Sequence, residues 1–296
     1  MSKDTAILQR ASNDVSTSGV FGTWAFLPVT DGHFVKSAPS ETLFEGLLNG
    51  ANLLTSNVAE ESVPYVPQNI NTEAKLTAWI RLVFPLFSDD TIADLYNQYA
   101  PSNGTQFTAK IPQFATSGSS HPTALDTSGT ATGYQQTANV IYAESTFICS
   151  SYWLVNAHNA RKGHGYKMQY SVPIAIHGYD NTAVLGNTPL PSQSDALVRA
   201  MQKIIGNFVK TGNPSDVTDD WTAYVAPNFP MLNLNQTGGQ IVPVNTTDVV
   251  INSLGALWYV EPGLRKDFKV VNGSAWEGGR GARCDFWRRV AGRVPM

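Results

Sequence analysis

Residues 52–61 read Asn52-Leu53-Leu54-Thr55-Ser56-Asn57-Val58-Ala59-Glu60-Glu61, an apolar-leaning run that ends in two carboxylates. Asn52 to Asn57 predicts a buried strand that runs directly into Glu60 and Glu61. A second strand-like run, Tyr166-Lys167-Met168-Gln169-Tyr170-Ser171-Val172, leads at once to His177. Loops beyond the carboxyl ends of strands are where α/β sheets place ligands and catalytic groups. An acid followed by a histidine supplies two of the parts of a triad: an imidazole to shuttle a proton from a hydroxyl, and a carboxylate to fix its tautomer. Taken alone the pair decides little. A glutamate after a strand is most often a solvated loop residue, and a single histidine is more often structural than catalytic.

Outward from these strands the pattern is mostly helical. Pro39-Ser40-Glu41-Thr42 opens a short helix with Leu43, Leu47 and Leu48 as its apolar face, ending at Gly50. Leu76, Trp79, Ile80 and Val83 recur at helical spacing between Thr72 and Phe84, and Ser88-Asp89-Asp90 caps a further helix through Tyr99. A long helical pattern runs from Tyr134 to Ala160, and another from Ser192 to Val209 is stopped by Thr211-Gly212-Asn213-Pro214. The rest reads as a polar, Gly/Ser-punctuated start over 1–23, an extended edge over Trp24 to Val29, and a Ser/Thr/Gly-rich loop from Pro101 to Gly133. Short strands and turns follow Pro214, with a last helix near Phe286 to Arg289. Helices alternating with few strands predict an α/β fold, and with no linker or repeat residues 1–296 read as one domain or part of one.

The 296 residues are 42% hydrophobic, and the 24 glycines bring the apolar share into the range of a globular protein. Charged residues are only 15%, a balance more common in secreted proteins. A net charge of −3 offers no field to attract a polyanion, which argues against nucleic acid as a partner. Arg280, Arg283, Arg288, Arg289 and Arg293 cluster near the end, but Glu277 and Asp285 sit among them, so a solvated helix face is expected. No apolar run is long enough to span a bilayer. The first ten residues lack the apolar core of a secretory signal, so the chain either stays inside the cell or lacks its beginning. His33, His158 and His164 show no metal-ligand spacing, and neither a metal nor a cofactor is expected. Phe84, Phe87, Tyr152 and Trp153 read as core before they read as a substrate pocket.

Five segments in order resemble the type-B carboxylesterase/lipase family, which includes cholinesterases and fungal lipases. Phe26-Leu27-Pro28-Val29-Thr30-Asp31-Gly32 is similar to its Pro-Val-x-Asp-Gly segment, and Leu53 to Glu60 resembles the strand and Asn-x-x-Glu that deliver its acid. Ala175-Ile176-His177-Gly178-Tyr179-Asp180 resembles its histidine loop, and Phe208 to Pro214 its Phe-x-x-Thr-Gly-Asn-Pro. Phe147-Ile148-Cys149 and Arg283-Cys284-Asp285-Phe286-Trp287 resemble two segments whose cysteines pair in cholinesterase-like members.

The resemblance implies the C-terminal portion of an α/β-hydrolase fold, a mixed, mostly parallel sheet flanked by helices. It implies Glu60 as the triad acid, His177 as the general base, and a Cys149–Cys284 disulfide. Glu60 is favoured over Glu61 by alignment alone, and the family usually has glycine where this chain has Glu61. No Gly-x-Ser-x-Gly occurs in the sequence; the nearest string, Gly118-Ser119-Ser120-His121-Pro122, lacks the final glycine and follows the acid. The N-terminal half with the nucleophile elbow is therefore expected to be missing, leaving a Ser-Glu-His triad two-thirds present and the chain inactive alone. Its complete form would be a carboxylic ester hydrolase acting on a small-molecule or lipid ester. The rivals are a non-catalytic cholinesterase-like binding or adhesion protein and an intracellular, truncated product without activity. The sequons at Asn103, Asn235, Asn245 and Asn272, with the resemblance, favour an extracellular protein.

Overall fold

The computed structural model describes residues 4–99, 105–106, 120, 123–161, 163–215, 217–218 and 220–294. In chain order its helices are α1 (Thr5–Ser18), α2 (Pro39–Phe44), α3 (Glu73–Val83), α4 (Asp89–Gln98), α5 (Gly133–Ala143), α6 (Cys149–Ala160), α7 (Tyr179–Leu185), α8 (Asp195–Thr211), α9 (Val249–Ser253) and α10 (Trp276–Val290). The strands are β1 (Asn52–Val58), β2 (Thr105–Gln106), β3 (Thr127–Ser128), β4 (His164–Tyr170), β5 (Pro230–Pro243) and β6 (Leu257–Asn272).

Four strands form the main sheet in the order β1-β4-β5-β6, with β1 parallel to β4, β4 parallel to β5, and β5 antiparallel to β6. The pleat sorts its side chains onto two faces. On one, Tyr166, Met168 and Tyr170 of β4 and Leu232 and Leu234 of β5 pack against Leu197, Val198, Met201 and Ile204 of α8. The other face lies under α6, and the adjoining core is built from α3, α4, α5, α6 and α10. Alternation also turns Lys167 and Gln169 of β4 toward the second side, both with no exposed surface.

Helix boundaries follow their caps. The Thr72 hydroxyl accepts from Lys75 N at α3, the Ser88 hydroxyl from Thr91 N at α4, and the Ser194 hydroxyl from Leu197 N at α8. The pattern from Tyr134 to Ala160 is helical throughout, with a π turn over Glu144–Ile148 joining α5 to α6. Phe84, Phe87 and Tyr152 are buried core, as their spacing predicts.

The polar start forms α1, capped by Asp4 and with no buried residue, so its helical character rests on local bonding. Four expectations fail. The short helix expected to run to Gly50 ends at Phe44, and Leu47, placed on its apolar face, is 60% exposed. Trp24 to Val29 is not a strand: Phe26 and Val29 are 66% and 74% exposed, and no strand pairs with the segment. The short strands expected late in the chain are two long ones, 14 and 16 residues, because a bulge between Gly238 and Gln240 absorbs what reads as a turn. Gly239 adopts φ 82° there, a conformation glycine tolerates without strain. Finally, the late arginines are not all solvated. Arg280 and Arg283 are 1% and 3% exposed and converge on the fully buried Glu144.

Candidate active site

β1 and β4 run parallel and in register, so the loops leaving them emerge side by side. Two backbone bonds tie these loops together: Ala59 N donates to Tyr170 O (3.0 Å) and Glu60 N to Ala175 O (2.9 Å). Val244 and Ala256 from the connection between β5 and β6, Ile251 of α9 and Trp258 of β6 pack against Val63, Ile174 and Ile176. Gly178 follows His177 with φ 85°, where glycine permits the turn that starts α7.

Glu61, and not Glu60, meets the histidine. Nδ1 of His177 lies 2.5 Å from Oε2 of Glu61, while Glu61 Oε1 accepts from Val58 N at 2.8 Å. Glu60 pairs with Ile176 as an isolated parallel bridge, and its carboxylate accepts from the hydroxyls of Ser128 and, at 2.7 Å, Thr130. Glu60 is held in its bridge to Ile176 while Glu61 opens the turn that follows, and the two carboxylates have different partners. Alignment chose the other one.

The Glu61 side chain is 9% exposed and that of His177 37%. The ring of His177 sits against Phe147 (centroids 4.8 Å apart) and edge-on to Tyr65 (5.3 Å). Its pKa is raised above 6.5, chiefly by the hydrogen bond to Glu61, against the opposing effect of burial. Burial and then the charge of Glu61 raise the Asp180 carboxyl, and the same two causes raise the Tyr65 hydroxyl. With Nδ1 engaged by a carboxylate, Nε2 has no hydrogen-bond partner among the described residues. That arrangement can take up a proton at Nε2 and hold the resulting charge beside Glu61.

Cys149 and Cys284 form a disulfide with Cα atoms 5.1 Å apart, joining the start of α6 to α10. Of the sequon asparagines, Asn245 and Asn272 are exposed, Asn235 lies in β5 at 9% exposure, and Asn103 falls outside the described residues, as does most of the string from Gly118 to Pro122. An N-glycan on Asn235 would require its side chain to leave the sheet. Among the described residues no group of acidic, histidine or cysteine side chains is arranged to hold a metal, and no helix is long and apolar enough to cross a membrane.

The carboxylesterase family profile matches residues 1–249. Carboxylesterase patB of Aspergillus clavatus is 26% identical over 242 residues, covering 81% of this chain and 39% of the relative. Carboxylesterase patB of Penicillium expansum is 25% identical over 239 residues, covering 80% and 38%. The crystal structure of Aspergillus niger EstA superposes with a TM-score of 0.62 at 15% identity, over 92% of this chain and 46% of that one. The chain thus spans about two fifths of the length of the curated relatives it matches. With its sheet that of an α/β-hydrolase and the profile covering most of its length, the chain belongs to the carboxylesterase family.

Proposed function

We propose that this chain supplies the acid and the base of a serine carboxylic ester hydrolase, Glu61 and His177, and that the nucleophilic serine lies outside these 296 residues within the same catalytic domain. The contact between Nδ1 of His177 and the Glu61 carboxylate carries the reading. In this scheme Nε2 takes the proton of a serine hydroxyl as its oxygen attacks the acyl carbonyl. Glu61 holds the ring in the required tautomer and stabilises the imidazolium. The same proton then passes to the departing alkoxide, and His177 activates the water that releases the acid. The substrate class is a small-molecule or lipid ester. The disulfide and the exposed Asn245 and Asn272 sequons support an extracellular setting.

Neither a Gly-x-Ser-x-Gly elbow nor an HGGG-like oxyanion segment occurs in the sequence. A base and an acid without a nucleophile offer only general-base help to water, worth ~10²–10⁴-fold, against ~10⁶-fold or more for an enzyme. Turnover of a p-nitrophenyl ester is measured for the 296 residues alone and for the polypeptide extended by the sequence encoded upstream. The short chain should remain near background. The extended one should turn over and lose activity on Glu61→Gln and on His177→Ala. Robust activity of the short chain that survives both substitutions would refute the assignment.

A further inference from the structure

Behind the acid–base pair lies a buried polar chain that starts from a lysine with no exposed surface. Lys167 Nζ donates to Asn57 Oδ1 and, at 3.1 Å, to Met168 O, and sits 4.9 Å from the Tyr152 ring centroid. Burial pushes the Lys167 amine toward its neutral form, but Asn57 is oriented independently of the lysine's charge, because an acceptor, Gln169 Oε1, faces its amide nitrogen and leaves its carbonyl oxygen toward Nζ. The amide nitrogen donates to Val58 O (2.9 Å) and Gln169 Oε1 (3.2 Å). Gln169 is oriented from its other side, because Arg280, which only donates, reaches that Oε1 at 2.5 Å. Val58 is therefore held at its carbonyl by Asn57, while its N–H donates to Glu61 Oε1 at 2.8 Å. The second oxygen of Glu61 is the one that meets His177.

We propose that Lys167 and Asn57 are positioning residues that fix Val58 and, through its N–H, the Glu61 carboxylate against His177. The proposal rests on the reading of Glu61 and His177 as acid and base. It predicts that the strength of the base depends on a lysine that touches neither partner. Both residues lie within the sheet, Asn57 on β1 opposite Gln169 and Lys167 on β4, so the rigid part of the fold sets the geometry of the loop.

The test reads the titration of His177 by nuclear magnetic resonance in the 296-residue chain carrying ¹³C-labelled histidine. The titratable groups facing the ring are Glu61, Asp180 and Tyr65, and those facing Lys167 are Arg280, Glu61 and Tyr152. Lys167→Met keeps the length of the side chain and its contact with Tyr152 while removing the donor. If Lys167 positions Glu61, the His177 midpoint falls in this variant by about half a unit or more, as the carboxylate loses its fixed place. Were Lys167 simply a nearby positive charge, its removal would raise the midpoint, so a rise or no change overturns the proposal. Asn57→Leu, which leaves Lys167 in place, should give the same fall, and it decides the matter if the lysine variant does not fold. In the unaltered chain the Val58 amide should exchange slowly and shift with the His177 midpoint; a fast-exchanging amide overturns the proposal without any substitution. Glu61→Gln separates the two readings. If it leaves the midpoint unmoved, the acid assignment fails. If it lowers the midpoint while Lys167→Met and Asn57→Leu do not, only the positioning role fails.

Discussion

His177 Nδ1 and Glu61 Oε2 lie 2.5 Å apart although 116 residues of chain separate them. The in-register pairing of β1 with β4 makes that approach possible, and the hydrogen bond raises the histidine pKa above 6.5. A raised folded-state pKa means that the folded protein binds the proton more tightly than the unfolded chain. The stability contributed by this pair is therefore fully present below pH ~6.5, the unfolded value, and is lost as pH rises through the folded one. Under the role proposed for His177 the sign reverses, since a base must be neutral to accept a proton. The acid limb of kcat/KM in the extended polypeptide should have its midpoint above 6.5, and Glu61→Gln should move the histidine midpoint down.

Glu60→Gln should have a different signature. Its carboxylate is bound to Ser128 and Thr130, so the histidine midpoint should stay near the unaltered value while the segment around Ser128 loosens. We expect a loss of about 1–3 kcal/mol in denaturant unfolding, as for a buried charge-assisted hydrogen bond. A large fall in the His177 midpoint would return the acid role to Glu60.

The two strands that carry the site were legible as short strand-like runs leading directly to Glu60-Glu61 and His177, and the helices because their apolar spacing and caps agree. The choice between Glu60 and Glu61 was not, since it depends on where the bridge at Glu60 gives way to the turn at Glu61. The support from Val244, Ile251 and Trp258 was equally hidden, because glycines in β5 and β6 read as turns. Arg280 and Arg283 misled for a simpler reason. Composition places arginines in solvent, and only the tertiary fold reveals the buried carboxylate that makes their burial tolerable.

That buried cluster yields a prediction of its own. Glu144 accepts from Arg280 Nε at 3.1 Å, from Arg283 Nε at 2.8 Å and NH2 at 2.7 Å, and from the Tyr99 hydroxyl at 2.5 Å. These interactions hold its carboxyl below the usual range although burial acts in the opposite direction. Removing Arg283 takes two of these four bonds from a fully buried carboxylate and leaves it only Arg280 and Tyr99, so Arg283→Met should cost about 3–5 kcal/mol in urea unfolding. A change within a few tenths of that of an exposed arginine such as Arg199 would contradict it.

Glycan mapping by peptide mass spectrometry of protein expressed through a secretory pathway should find Asn245 and Asn272 modified and Asn235 bare. The first two are exposed, whereas Asn235 lies in β5 with its Oδ1 accepting from Gln236 N at 2.8 Å. Quantitative occupancy of Asn235 would mean that this part of β5 is open when the glycan is attached.

The disulfide joins the element that carries Glu144 to the one that carries its arginines. Cys149 follows the π turn that begins at Glu144, and Cys284 directly follows Arg283. The bond closes a span of 135 residues, for which chain entropy predicts at most about 5 kcal/mol of stabilisation. Protein from an oxidising compartment, unfolded without reductant, should show no reactive thiol, and two per chain after reduction. Reduction should also lower the denaturation midpoint. Because the bond and the ion cluster restrain the same pair of helices, the effects of reduction and of Arg283→Met should not add. Two free thiols before reduction would remove the bond and with it one of the supports for an extracellular setting; strict additivity would show that bond and cluster act independently.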